Sequence, residues 1–384
     1  MKKIAAILAS FALLATSTAL ADTVKIGFVT TLTGGAGAMG NDMRDAAELA
    51  LDHLDRKMGG LDVQMIYEDD GFKPEVGKQK TEKLVKKDRV HFVGGYIWSH
   101  VLLASRKGPF MISSNAGPSP VAGKLCHEDF FSTSWQNDQT PMAMGEVLNQ
   151  MGIKNLYIMA PNYAAGKNMV SGVERTFKGK IVGKDMTKFP AQLDFSAELA
   201  KVRSVKPDAV FIFYPGKHGV QFFKQYAQSG LKGNIPLYSV FAIDALSLPR
   251  IGDLVEGTLM TQFWAPDLAT PVSKIFVQDY RKKYGRYPTF YAAQSYDTIM
   301  LIDSAVRAVN GDLSNKDGMR AAMRRAAFPS VRGPFRYGNN HMPIQNFYLR
   351  KVVKDAEGNY TTSIVKTVYT NHQDPYAKDC KMSW

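Results

Sequence analysis

Hydroxyls, small amides and glycines recur directly behind the apolar runs of this chain, and aromatic rings recur behind the later ones. In the first half, Thr30, Thr31 and Thr33 follow 24–29, Tyr96, Ile97, Trp98 and Ser99 follow 90–94, and Ser113, Ser114, Asn115 and Gly117 follow 110–112. In the second half, Asn162 and Tyr163 follow 156–160, and Tyr214, Pro215 and Gly216 follow 209–213. Ser239 and Phe241 then lie at the end of 236–240, and Phe263 and Trp264 at the end of 258–263. Neutral hydroxyls and backbone N–H groups at helix starts donate hydrogen bonds, so the first set suits an anion such as a carboxylate. The rings suit a flat or apolar body. Taken singly, Ser113, Ser114 and Asn115 also read as turn and cap residues, and Tyr96 and Trp98 as core under a loop. It is their joint placement at strand ends that points to a ligand.

Signatures of chemistry on that ligand are missing. There is no G-x-S-x-G, no H-E-x-x-H and no P-loop, and His100 and His218 beside these loops have no evident Ser or Cys partner. A triad assembled only in space keeps an exported hydrolase as an alternative. Gly35-Ala36-Gly37-Ala38-Met39-Gly40 fits G-x-G-x-x-G, but Thr31 to Gly34 separate it from the strand. The acidic Glu68-Asp69-Asp70 also lies too far beyond it for a dinucleotide fingerprint. Neither a cofactor nor a metal is expected.

Short apolar runs alternate with helical patterns from end to end, which reads as an α/β protein with doubly wound parallel sheets. Strands are expected at 24–30, 63–68, 90–94, 110–113, 156–160, 209–214, 236–240 and 258–263, with two more at 346–353 and 360–368. The series makes two rounds, broken at 135–141, and the helices around 271–327 have no strands beside them. The economical arrangement returns them to the first sheet, giving two lobes joined by several crossings: 22–138 plus 271–345, and 139–270 plus 346–384. Met1-Lys2-Lys3, an apolar 4–17 and Ala19-Leu20-Ala21 form a signal peptide pattern for residues 1–21, with cleavage after Ala21 and a periplasmic destination. The formal charge of +13 is spread along the chain, with no basic run interleaved with stacking aromatics, so nucleic acid is not an expected partner. Two cysteines in an exported chain suggest one disulfide, Cys126–Cys380, tying the tail to the body; two buried thiols are the alternative.

The residues also resemble a family. Val24-Lys25-Ile26-Gly27 leading to Thr31-Leu32-Thr33-Gly34, Asp69-Asp70, Val93-Gly94-Gly95, Asn162-Tyr163-Ala164-Ala165-Gly166, Lys206-Pro207-Asp208 and Tyr291-Ala292-Ala293-Gln294-Ser295-Tyr296-Asp297 follow one another in a telling order. That order resembles the periplasmic substrate-binding proteins of the branched-chain amino acid (Leu/Ile/Val) receptor type, ABC-importer receptors with the type I periplasmic-binding fold. The resemblance implies a hinged monomer that closes on a solute and presents it to an inner-membrane permease. It implies a carboxylate held near Ser99 and the Ser113–Ser114 loop, and a tyrosine, Tyr163, closing from the other lobe. The amino-acid binders place an acid for the ammonium near a position that is Val240 here, and none stands there; Asp244 is the nearest. A closed cleft disfavours an unpaired ammonium. The expected ligand is therefore an aromatic acid of benzoate or phenylpropanoid type. Ser99, Ser113, Ser114 and Asn115 are expected on its carboxylate and Tyr96, Trp98, Tyr163, Tyr214, Phe241 and Trp264 around its ring, with Ser239 a further binding residue. The alternative within the family is a branched-chain amino acid or short amide.

Overall fold

Strands form where apolar residues run together, because both faces of each sheet are covered and no polar face is needed. A computed structural model describes residues 23–106, 108–333 and 335–383; the expected signal peptide lies outside them. The first lobe contains β1 (Val24–Thr30), β2 (Lys57–Met58), β3 (Leu61–Asp69), β4 (Phe92–Gly95), β5 (Phe110–Ser113) and β6 (Phe130–Ser132). They are ordered β2-β3-β1-β4-β5-β6, and all pair in parallel except the β2–β3 hairpin. The second sheet has β7 (Asn155–Pro161), β8 (Lys180–Thr187), β9 (Ala209–Ile212), β10 (Leu237–Val240), β11 (Leu259–Gln262), β12 (Arg336–Tyr337), β13 (Pro343–Lys354) and β14 (Tyr360–His372). Its order is β12-β13-β11-β10-β9-β7-β8, with β14 paired to β13; β7 to β11 are parallel and the late strands antiparallel.

Four strands fall outside the expected set: the two-residue β2 and β12, and β6 and β8. β6 is only three residues long, and β8 carries Lys180, Lys184 and Asp185 at the sheet edge, so neither makes an apolar run. The crossover helices of the first lobe are α1 (Gly37–His53), α2 (Pro74–Lys86), α3 (Ser99–Ser105) and α4 (Ser119–Ala122). The second lobe adds α5 (Gln139–Gln150), α6 (Ala164–Thr176), α7 (Ser196–Val205), α8 (Lys217–Gln228) and α9 (Leu248–Val255). The glycine-rich start of α1 is a packing device rather than a phosphate cradle. A Cβ on Gly40 would stand 1.9 Å from the Thr31 carbonyl oxygen, so only glycine lets the helix lie this close to the loop after β1.

The chain then returns to the first lobe through α10 (Pro271–Tyr284), α11 (Phe290–Ala308) and α12 (Lys316–Arg325). α11 is buried nearly throughout and packs on α1 and β4, with α12 behind it. Thr270 caps α10 by accepting from the Ser273 N–H, and Thr289 caps α11 by accepting from Tyr291 and Ala292. The stretches passing between the sheets, 133–138, 263–270 and 326–343, are tied by buried hydrogen bonds. Arg332 donates to Asp297 on α11 (2.9 Å), to the Ser134 carbonyl (2.9 Å) and to Gln345 on β13 (2.8 Å). The expected disulfide is present: Cys126, between α4 and β6, pairs with Cys380, past β14, at a Cα separation of 5.7 Å.

Candidate functional site

Loops following strands of both sheets converge on a small cavity between the lobes. From the first lobe come Trp98 and Ser99 behind β4, Asn115 behind β5, and Trp135 and Asn137 behind β6. From the second come Tyr163 behind β7, Phe213 behind β9 and Phe241 behind β10. Tyr291, aimed by the Thr289 cap, adds the first turn of α11. This is the crevice beyond the carboxyl ends of parallel strands where ligands of open α/β sheets bind.

Aromatic rings are prominent in the wall. Trp135 stacks on Phe241 at 4.5 Å and Phe263 at 5.2 Å. Tyr163 stacks on Phe189 at 4.8 Å and meets the edges of Trp98 and His100 at 6.2 and 5.6 Å. Phe241 has φ +55°, a left-handed backbone that a bulky residue adopts only under strain, and it turns the chain out of β10. The cavity measures about 20 Å³, little more than the roughly 10–15 Å³ that one water needs. A ring therefore enters only if the lobes part, and they meet closely. Lys217 on α8 lies 3.1 Å from where a Cβ on Gly35 would sit, and Met39 lies 3.2 Å from the same point on Gly216.

The polar atoms here are mainly donors. Trp135 is buried and its Nε1–H has no hydrogen-bond partner among the described residues. Burial alone holds the Tyr163 phenol well above the usual tyrosine range, and burial, then Asp244, does the same for Tyr291, so both keep their protons. Asn137 Nδ2 donates to Ser99 Oγ (3.0 Å), which leaves the Ser99 proton for another acceptor. Asn115 donates one N–H to the Ile97 carbonyl and accepts from Gln294, each at 2.6 Å, which leaves its second N–H. No Asp, Glu, Lys or Arg lines this cavity among the described residues. Asp244 stands behind it, buried, its carboxyl pushed up to about 6 by desolvation.

Of the residues expected in the site, Trp98, Ser99, Asn115, Tyr163 and Phe241 line the cavity. Six others do not, and each has another occupation or lies in a strand. Tyr96 bonds Thr81 at 2.8 Å beneath β4. The Ser113 hydroxyl donates to the Ala116 carbonyl at 2.5 Å, and the Ser114 hydroxyl pairs with Thr298 at 2.7 Å. Tyr214 accepts from Thr187 at 3.1 Å and stacks on Phe222. Trp264 donates to Ser273 at 3.0 Å. Ser239 is buried within β10. The hydroxyls of Ser113 and Ser114 thus brace the first lobe instead of facing the cleft. The sequence reading missed Trp135, Asn137, Phe213 and Tyr291. Trp135 and Asn137 sit in a stretch read as linker, and Tyr291 arrives from a helix far along the chain.

A second cavity of about 160 Å³ opens at the mouth of the same cleft and shares Trp98 and Pro215 with the inner one. Residues 23–357 match the family described as periplasmic binding protein. Leu/Ile/Val-binding protein homolog 6 of Brucella melitensis is 27% identical over 98% of this chain and 100% of its own length. A solute-binding protein of an ABC transporter from R. palustris, solved in complex with benzoate, superposes with a TM-score of 0.88 at 29% identity, covering 94% of this chain and 100% of that one. Another, from Rhodopseudomonas palustris BisB5 in complex with 3,4-dihydroxy benzoic acid, gives 0.85 at 26% identity, covering 92% and 99%.

Proposed function

Because the chain belongs to the periplasmic binding protein family, it is a solute receptor of an ABC importer rather than an enzyme, and we propose that its solute is a small aromatic carboxylate. One observation carries this reading: a buried, unpartnered indole N–H among stacked rings, in a cavity with no charged side chain on its wall. Such a site offers donors without an acid, which matches a carboxylate and leaves an ammonium unpaired. The carboxylate takes hydrogen bonds from Ser99, Trp135 and the phenols of Tyr163 and Tyr291, in place of the Ser113–Ser114 hydroxyls. The ring lies among Trp98, Tyr163 and Phe241. The lobes, 22–138 plus 271–345 and 139–270 plus 346–384, close over it in the periplasm, after removal of residues 1–21, and present the closed monomer to the permease. The benzoate and 3,4-dihydroxybenzoic acid held by the two similar receptors support the same ligand class.

A branched-chain amino acid is the second reading, favoured by the names of the relatives and by one residue. Asp244 lies close enough to Tyr291 to raise its phenol, and an ammonium would have to recruit that acid. Burial holds Asp244 partly protonated near pH 6, a poor resting state for that task. Thermal melts with benzoate, 4-hydroxybenzoate and leucine separate the readings. A benzoate at a hundred times its Kd is expected to add about 2.7 kcal/mol. Stabilisation by leucine and by neither benzoate overturns the proposal.

A further inference from the structure

Resting on the aromatic-acid reading, we infer that the cavity at the cleft mouth is a second ligand subsite. It takes the distal end of an acid longer than benzoate, and that end carries a hydrogen-bond acceptor or a second anionic group. The mouth cavity is built by both lobes: Met39 and Phe72 from the first, Phe189, Pro215 and Lys217 from the second, with Trp98 shared with the inner cavity. At about 160 Å³ it is the roomier of the two. Phe72 and Phe189 meet edge to face across the lobes, 5.3 Å between ring centres, and both line the mouth, out of reach of a ligand confined to the inner cavity. A ligand that passes Trp98 covers both.

The polarity of the mouth differs from that of the inner cavity. Lys217 is the one charged side chain on its wall among the described residues. The nearby acids bond to the loops after β1 and β3, and the remaining Asp70 oxygen, Oδ2, is buried with no partner among the described residues. Asp69 accepts from the Leu32 N–H (2.9 Å), the Thr33 hydroxyl (2.5 Å) and the Gly71 N–H (2.9 Å), and Asp70 accepts from Thr31 (2.5 Å) and the Phe72 N–H (2.9 Å). His218 directs Nε2 to the Pro190 carbonyl at 2.9 Å and is held neutral by burial. The lysine ammonium is thus left for the ligand. Reading from the inside out, the site runs donors, rings, apolar walls, cation. The molecule it complements is an arylalkenoate or arylalkanoate with an acceptor or carboxylate at its far end.

Titration calorimetry on the whole protein with benzoate, 4-methylcinnamate and 4-carboxycinnamate tests this, using the wild type, Lys217→Met and Ala36→Phe, the last narrowing the mouth. Both cinnamates are expected to bind more tightly than benzoate, with 4-carboxycinnamate at least threefold ahead of its methyl analogue. Lys217→Met removes that threefold lead, and Ala36→Phe weakens both cinnamates more than benzoate. If benzoate binds and neither cinnamate binds more tightly, or if Lys217→Met weakens all three equally, the subsite is overturned while the aromatic-acid reading stands. If none of the three binds, both fall.

Discussion

Trp135 differs from Trp98 and Trp264 in one atom's circumstances. Those two indoles donate to Thr31 and Ser273, whereas the Trp135 N–H, equally buried, donates to nothing among the described residues. An orphaned buried donor costs on the order of 1–3 kcal/mol, a cost that a bound acceptor recovers. Trp135→Phe keeps the stacking on Phe241 and deletes the N–H. It is expected to weaken benzoate about tenfold, roughly 1.4 kcal/mol, while the melting temperature without ligand changes little. Calorimetry with a parallel melt checks it, and an unchanged Kd removes Trp135 from the site. Spacing along the chain brought out Trp98, Ser99, Asn115, Tyr163 and Phe241 because each stands just behind a legible apolar strand. It could not bring out Trp135, because the strand before it, β6, is three residues long and carries no pattern of its own. Nor does a strand-end rule separate the Ser113 and Ser114 hydroxyls, which turn inward to Ala116 and Thr298, from that of Ser99, which does not.

Among the elements, the passage over 326–343 shows how chain segments rather than single groups set the response to acid. His341 lies flat on Phe131 of β6 at 4.1 Å, donates from Nδ1 to the Phe130 carbonyl (2.9 Å) and accepts at Nε2 from Arg324 (3.1 Å). Burial pushes its pKa down to about 4, against about 6.5 in an unfolded chain. The folded state thus binds the proton less readily, and stability supplied above pH 6.5 is lost as the pH falls toward 4. His372 at the end of β14 acts in the same direction, also near 4. Asp374, pushed up to about 6, acts in the opposite one, gaining stability on acidification. His341→Asn suits the site because its φ of +56° is one that asparagine tolerates. In urea titrations the stability gap between wild type and this variant is expected to shrink by on the order of 2 kcal/mol from pH 7 to pH 5. A gap that stays constant or widens contradicts this account.

At the scale of the molecule, the disulfide and the tail around it act on both lobes at once. The bond closes a separation of 254 residues and joins a first-lobe turn to the segment that follows the second sheet. Asn340 reaches the tail at Asp374 (2.8 Å), and Asn339 reaches Ala377 (3.0 Å). In the chain-entropy picture a loop of this length is worth about 5 kcal/mol, so a Cys126→Ala, Cys380→Ala variant is expected to lose several kcal/mol in urea and to expose the tail to limited proteolysis. Unchanged stability and an uncut tail would show that the tail is held without the bond.

Cys380 comes after every strand of both sheets. The correct thiol partner for Cys126 therefore does not exist until synthesis has passed the whole of both lobes. In the exported receptor proposed above, the bond closes only after both halves have been delivered, so a molecule carrying it is one whose two halves have both arrived.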